Sequence, residues 1–314
     1  MSALKQKIIE TLKNAGADIV VCGNIERFSD PAVKKLMPKA KSVICAACRQ
    51  LRGARRGVEE GTSYHHFTTI GIETPEENIL PGALLRACGV LEAAGFKALP
   101  QRRNQLVMAS ENDTNPEVAH EKIFRGRKAE TQLDFTRCAV DAGLGEIGLS
   151  GSVLTDDFGP CQRWAFIITE AELEPDPVAV PHLCDKCGEC VKACPGHAIS
   201  PDGKLNRWQC AAYYAGASRR KNPFMPTYAL ADNPDREAIW AGEIDLTPEK
   251  ARAVLSEMTF YPSARHAYTS SMCGKACDTE CYIHLEQKGV LKHKFSTPFR
   301  KRPKWELSVH GEIE

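Results

Sequence analysis

No stretch of this chain approaches the ~18 consecutive apolar residues that a membrane span requires. Net charge is equally scarce: 41 basic against 40 acidic residues leave +1 over 314 positions. That balance removes the overall field that would gather nucleic acid or an anionic membrane surface. A leader is not expected either. The first ten residues, Met1-Ser-Ala-Leu-Lys-Gln-Lys-Ile-Ile-Glu, read as an amphipathic helix start, and the paired arginines Arg55-Arg56 and Arg102-Arg103 lie inside the chain rather than in an export signal. The expected compartment is therefore a reducing cytoplasm, where 14 cysteines do not make a disulfide framework. Apolar content of 43% and charged content of 26% are ordinary for a globular protein, and the length allows two domains.

What the chain does have is an ordered set of cysteines. Cys184, Cys187, Cys190 and Cys194 follow C-x2-C-x2-C-x3-C with Pro195 after the last, the bacterial ferredoxin spacing for a 4Fe-4S cluster. Three thiolates curl round one cubane, while the fourth is carried away to ligate another. The second cluster then needs three more ligands, and Cys210, Cys273 and Cys277 supply them, leaving Cys281 to complete the first. The expected sets are Cys184, Cys187, Cys190 and Cys281 for one cluster, and Cys194, Cys210, Cys273 and Cys277 for the other. Zinc also uses C-x2-C pairs, but a zinc knuckle requires neither the third and fourth cysteines nor the proline. The distal set departs from the pattern, with an x3 first spacing and Tyr282 where a proline would stand. Cys22, Cys45, Cys48, Cys88, Cys138 and Cys161 remain, most of them among apolar neighbours where a thiol acts as a small hydrophobe. Cys45-Ala-Ala-Cys48 matches a redox C-x-x-C, but it sits in an apparent buried strand without thioredoxin-like context.

Periodicity places a helix through Leu4, Ile8, Ile9 and Leu12, a strand over 18–22, a helix from Pro31 to about Met37 capped by Asp30, and a strand over 42–46. The basic stretch 49–60 reads as a loop ending in the polar aromatic cluster Ser63-Tyr64-His65-His66. Thr74-Pro-Glu-Glu77 reads as a capping box launching a helix to Gly95. Short strands are expected over 96–99 and 106–109, a helix over 133–142 and a strand over 164–169. The acidic, proline-containing segment 170–181 is the best domain boundary, dividing 1–178 from a cluster module over 179–290. An insertion at about 222–270 lies within the module, with a helix over 248–258 capped by Thr247. It could cover an active-site mouth or brace the clusters. The basic and aromatic run 291–314 reads as a tail: phosphate backbones could bind it, but a solvated tail is the commoner form. Gly143-Leu-Gly145-Glu-Ile-Gly148 spells a dinucleotide fingerprint in the wrong setting, since a helix precedes it and no helix opens within it. Its glycines are expected instead to let backbone approach something large and flat.

Ala142-Gly-Leu-Gly-Glu-Ile-Gly-Leu, then Leu154-Thr-Asp-Asp-Phe-Gly-Pro, then Ala165-Phe-Ile-Ile-Thr, then Cys184 to Pro195, in that order, resemble the cobalamin-dependent iron-sulfur reductases. That superfamily comprises epoxyqueuosine reductases and the catalytic part of reductive dehalogenases. Ala40-Lys-Ser-Val-Ile and Ser63-Tyr64-His65 resemble the epoxyqueuosine reductases in particular. The resemblance implies an α/β (α+β) fold: a nitroreductase-like cobalamin-binding domain followed by a ferredoxin-like two-cluster module. It implies electron delivery from a ferredoxin or flavodoxin, through the clusters, to a base-off corrinoid that reduces a small molecule or a modified nucleoside. Corrinoid contacts are expected from Gly143, Gly145, Gly148, Ser152, Thr155, Phe158, Gly159 and Pro160. Where epoxyqueuosine reductases carry an aspartate proton donor, this chain has Ala129, with Glu130 and Asp134 as the nearby acids. Dehalogenases use a tyrosine, which makes Tyr64 another candidate. The longer C-terminal extension that handles tRNA in many epoxyqueuosine reductases has no counterpart here, so tRNA is not the expected substrate. The alternative is a two-cluster electron-transfer or corrinoid-handling protein with no substrate chemistry of its own.

Overall fold

The computed structural model describes residues 2–59, 64–103, 133–258, 271–300, 303–305 and 307–309. Helix α1 (Ala3–Asn14) starts where Ser2 Oγ accepts from the Lys5 amide at 3.2 Å, and it buries Ile8 and Leu12. Strand β1 (Ile19–Asn24), helix α2 (Pro31–Leu36) and strand β2 (Ser42–Arg49) follow. Asp30 caps α2 through the Ala32 amide at 2.9 Å, with Pro31 at the first helical position where no amide donor is needed. Helices α3 (Arg52–Glu59) and α4 (Tyr64–Thr68), a π-helical stretch over Thr69–Ile79 and helix α5 (Leu80–Ala93) lead to strand β3 (Ala98–Gln101). After α6 (Phe135–Ala142) come the short pair β4 (Glu146–Ile147) and β5 (Val153–Leu154), and then β6 (Gln162–Thr169).

Strands β1, β2, β6 and β3 form one sheet in that order, every pair antiparallel. Alternation divides it between two layers. Val43, Cys45, Ala47, Trp164, Phe166 and Ile168 face Val33 of α2 and Cys138, Ala139 and Ala142 of α6. Ile44, Ala46, Cys48, Ala165 and Ile167 face Ile8 and Leu12 of α1 and Leu84, Ala87 and Leu91 of α5. Cys45 and Cys48 thus point to opposite faces and do not meet as a dithiol pair. Burial pushes the Cys45 thiol far up and the Cys48 thiol to about 11, so both are inert core residues.

The cluster module carries α7 (Glu189–Lys192), α8 (Arg207–Ala215), α9 (Arg236–Ala241), α10 (Pro248–Glu257) and α11 (Ala276–Gln287). The insertion braces α8. Trp208 and Tyr213 pack with Met225, Leu230, Trp240 and Val254, and Gln209 Nε2 donates to the carbonyls of Gly196 and Ile244 at 2.7 and 2.8 Å. Thr247 caps α10 by accepting from the Lys250 amide at 3.3 Å. Among the described residues no helix is long and apolar enough to cross a membrane.

Three expectations are corrected. The stretch after Arg49 is a helix, α3. Its fully buried Arg55 donates to Thr279 Oγ1 at 3.0 Å and to Gln50 Oε1 at 2.9 Å and lies over the Phe67 ring, so tertiary partners override a basic, glycine-containing composition. Thr74-Pro75 does not begin a helix but lies inside the π-helical stretch. There the wider turn accommodates a residue without an N–H. The C-terminal run is anchored at a few points although residues 292–298 are exposed. Phe299 is buried, Arg300 pairs with Glu59 and Glu280, and Trp305 Nε1 donates to the Val58 carbonyl at 3.3 Å. The expected strand over 106–109 lies outside the described residues.

Candidate metal centre

The first cysteine loop is shaped by left-handed backbone on either side of Cys187, at Lys186 (φ 59°) and Gly188 (φ 79°). Cys184, Cys187, Cys190 and Cys281 line one cavity, together with Leu149, Leu183 and His284. Cys187 is exposed and Cys190 buried. The Leu149 amide donates to Cys184 Sγ at 3.3 Å, and the Ala198 amide donates to Cys194 Sγ at 3.3 Å. Amide donors aimed at sulfur are the outer contacts that orient an iron-bound cysteine.

The second group gathers separately. Cys273 lies within electrostatic reach of Cys194, and Cys277 within reach of Cys273 and Cys210. Burial pushes both thiols up, Cys277 well up. Ionising four such thiols without a compensating cation would be costly, and the soft donors present suit iron. Both cysteine groups therefore fit a 4Fe-4S site by donor chemistry. Cys277 and Cys281 lie one turn apart on α11, about 6 Å along its axis. That helix serves both groups; the other six cysteines are buried, and of these Cys161 lies in the apolar cluster that Cys184 and Cys281 pack against.

Glu146 was not anticipated. Only 5% exposed, its carboxylate accepts from three successive backbone amides: His182 at 2.5 Å, Leu183 at 3.0 Å and Cys184 at 2.7 Å. The segment spelled G-x-G-E thus anchors the start of the cluster loop. Its glycines are required by protein contacts. Gly143 ends α6 at φ 96°, and a Cβ on Gly145 would sit 2.0 Å from the Leu154 carbonyl oxygen. A helix C-terminus presents carbonyls rather than amides, so this loop is no phosphate cradle.

The expected corrinoid contacts are likewise engaged by protein. Ser152 Oγ donates to Asp278 Oδ1 at 2.5 Å. Thr155 Oγ1 bonds Gln162 Oε1 at 3.0 Å and accepts from the Phe158 amide at 3.2 Å. Phe158 stacks on His293 with centroids 5.0 Å apart and packs with Tyr282, Leu285 and Leu291. Gly148 abuts Leu154, Gly159 abuts Leu285, and Pro160 is buried. Of these positions, Ser152, Phe158 and Gly159 meet residues of the cluster module and the C-terminal segment. Asp134 is exposed and caps α6, accepting from the Arg137 amide at 2.9 Å. Tyr64 opens α4, and Glu130 lies outside the described residues.

A model of the 4Fe-4S binding domain matches residues 177–200. A tetrachloroethene reductive dehalogenase of Desulfitobacterium hafniense is 46% identical over 65 residues, 20% of this chain and 12% of its own length. The epoxyqueuosine reductase of Bacillus subtilis (strain 168) is 22% identical over 250 residues, 67% of this chain and 55% of its own. A reductive dehalogenase structure, described as suggesting a mechanism for B12-dependent dehalogenation, superposes with a TM-score of 0.50 over 98% of this chain and 39% of its own, at 12% identity. This chain is thus similar in sequence to segments of both kinds of reductase. The chain spans 55% or less of the two curated relatives compared. With that dehalogenase structure it shares the fold.

Proposed function

We propose that this protein is a cytoplasmic oxidoreductase in which Cys184, Cys187, Cys190 and Cys281 hold one 4Fe-4S cluster and Cys194, Cys210, Cys273 and Cys277 a second. The observation that carries this is the convergence of Cys281 with the first-motif cysteines, from nearly a hundred positions away, on one cavity. When bound, the clusters supply single electrons at low potential, and the corrinoid implied by the resemblance would receive them. The chain's own residues do the rest. Glu146 fixes the entry of the first loop, and amides orient Cys184 and Cys194. Exposed Cys187 gives a small one-electron donor such as a ferredoxin or flavodoxin its point of approach. The substrate class is a small molecule or a modified nucleoside, with Tyr64 as the proton donor. Turnover unaltered in Tyr64→Phe at equal cofactor content would remove that residue from the chemistry.

The engagement of Ser152, Thr155 and Phe158 by protein neighbours favours one second reading, a two-cluster electron-transfer protein without substrate chemistry. Anaerobic purification with added cobalamin, followed by iron, sulfide and cobalt analysis of one sample, separates the two. About eight irons and one cobalt per chain are expected of the reductase. Eight irons without cobalt would leave the electron-transfer protein, and zinc or four irons would overturn both.

A further inference from the structure

Between the two cysteine groups, on α11, lies a carboxylate that the functional reading does not use. Asp278 is 3% exposed and stands between Cys277 of one group and Cys281 of the other. Cys277 Sγ is 4.0 Å from its Oδ1. The same oxygen accepts from Ser152 Oγ at 2.5 Å, and Lys275 Nζ is 3.5 Å from Oδ2. Arg55 and Arg163 are the other cations within electrostatic reach. A buried carboxylate that accepts from a hydroxyl and lies beside a lysine ammonium is satisfied as an anion, so the group is a fixed negative charge. Positions 277, 278 and 281 fall within about one turn of α11, so the same charge lies beside ligands of both groups.

Adding an electron to a cluster is harder beside a buried anion, and the low local dielectric enlarges that effect. Resting on the assignment of both groups as 4Fe-4S ligands, we propose that Asp278 is a positioning charge shared by the two sites. It lowers both reduction potentials, and more strongly that of the cluster bound by Cys277. Ser152 thereby has a purpose: it ties this charge to the sheet domain, so a shift of that domain would alter both potentials together.

The test is a mediated redox titration followed by electron paramagnetic resonance, on full-length anaerobically reconstituted protein. Wild type is compared with Asp278→Asn, Asp278→Ser, the charge-retaining Asp278→Glu, and Asp202→Asn as an exposed acid elsewhere in the module. Both midpoints are expected to move upward in the Asn and Ser variants, and to stay near wild type in the Glu and Asp202 variants, at equal iron content. Unmoved midpoints in a fully loaded Asn or Ser variant overturn the proposal. So does failure of both neutral variants to take up iron, which would make the carboxylate an assembly device. Wild-type protein that binds no iron refutes the cluster assignment itself, a different outcome from either.

Discussion

Glu146 shows how much one side chain can hold here. Its carboxylate is the acceptor for three consecutive amides at the entry to the first cysteine loop. Removing it leaves amides at a half-buried site unsatisfied, each a loss of about 1–3 kcal/mol when fully buried. Glu146→Ala is therefore expected to cost about 3 kcal/mol overall and to lose iron from the first site before the second, followed by thermal melting and by iron content during dialysis against a chelator. Two glycines provide a matched contrast. At Gly145 an added methyl meets the Leu154 carbonyl oxygen across the β4–β5 pair, so Gly145→Ala forces those strands apart at about 2–3 kcal/mol. At Gly89, inside α5, a methyl meets nothing within 4 Å, and Gly89→Ala should stabilise by about 0.5–1 kcal/mol through the unfolded chain's lost freedom. Opposite signs in a pair of melts would confirm that the first glycine serves packing; equal small shifts would contradict it.

At the scale of elements, the C-terminal strap is held by charge. Burial raises the Glu280 carboxyl, but hydrogen bonds and charge from Arg300 and Lys304 outweigh it and leave the group below its usual range. A depressed folded value means that the strap's contribution is complete above the unfolded glutamate pKa of about 4.3 and fades as pH falls through the lower folded value. Trp305 fluorescence, read against Trp305→Phe, should accordingly stay constant down to that range and change only in stronger acid. A transition near neutrality would contradict the Glu280 anchor. The sequence disclosed elements whose causes are local. Capped helices α1, α2 and α10 and the apolar runs of β1, β2 and β6 stand close to their expected positions, and the cysteine spacing anticipated which thiols share a cavity. What stayed hidden depends on distant partners. Helix α3 is fastened by Arg55 to Thr279, Glu146 meets amides more than thirty positions on, and the strap meets α3 and α11. Neither spacing nor propensity records such pairings. The glycines of 143–148 were visible as a motif, but only the approach of Leu154 and Pro177 discloses what they make room for.

For the whole molecule the decisive feature is that the two parts share a core. Leu154, Phe158 and Cys161 from the sheet domain pack with Leu183, Tyr282, Ile283, Leu285, Leu291 and Phe299 from the module and the C-terminal segment. Arg55 and the Ser152–Asp278 bond cross the same boundary. Side chains that neither part could bury alone make the domains a single cooperative unit, in contrast to the small polar contacts usual between independent domains. Calorimetry of the iron-loaded chain is therefore expected to give one transition, and chelating the iron should lower it for the sheet domain and the module alike. A fragment of residues 1–178 would expose Leu154, Phe158 and Cys161, and it should bind a hydrophobic dye and melt below the full chain. Two separate transitions, with the first domain unaffected by iron, would show instead that the shared apolar contacts contribute little and that Arg55 bridges parts that fold independently.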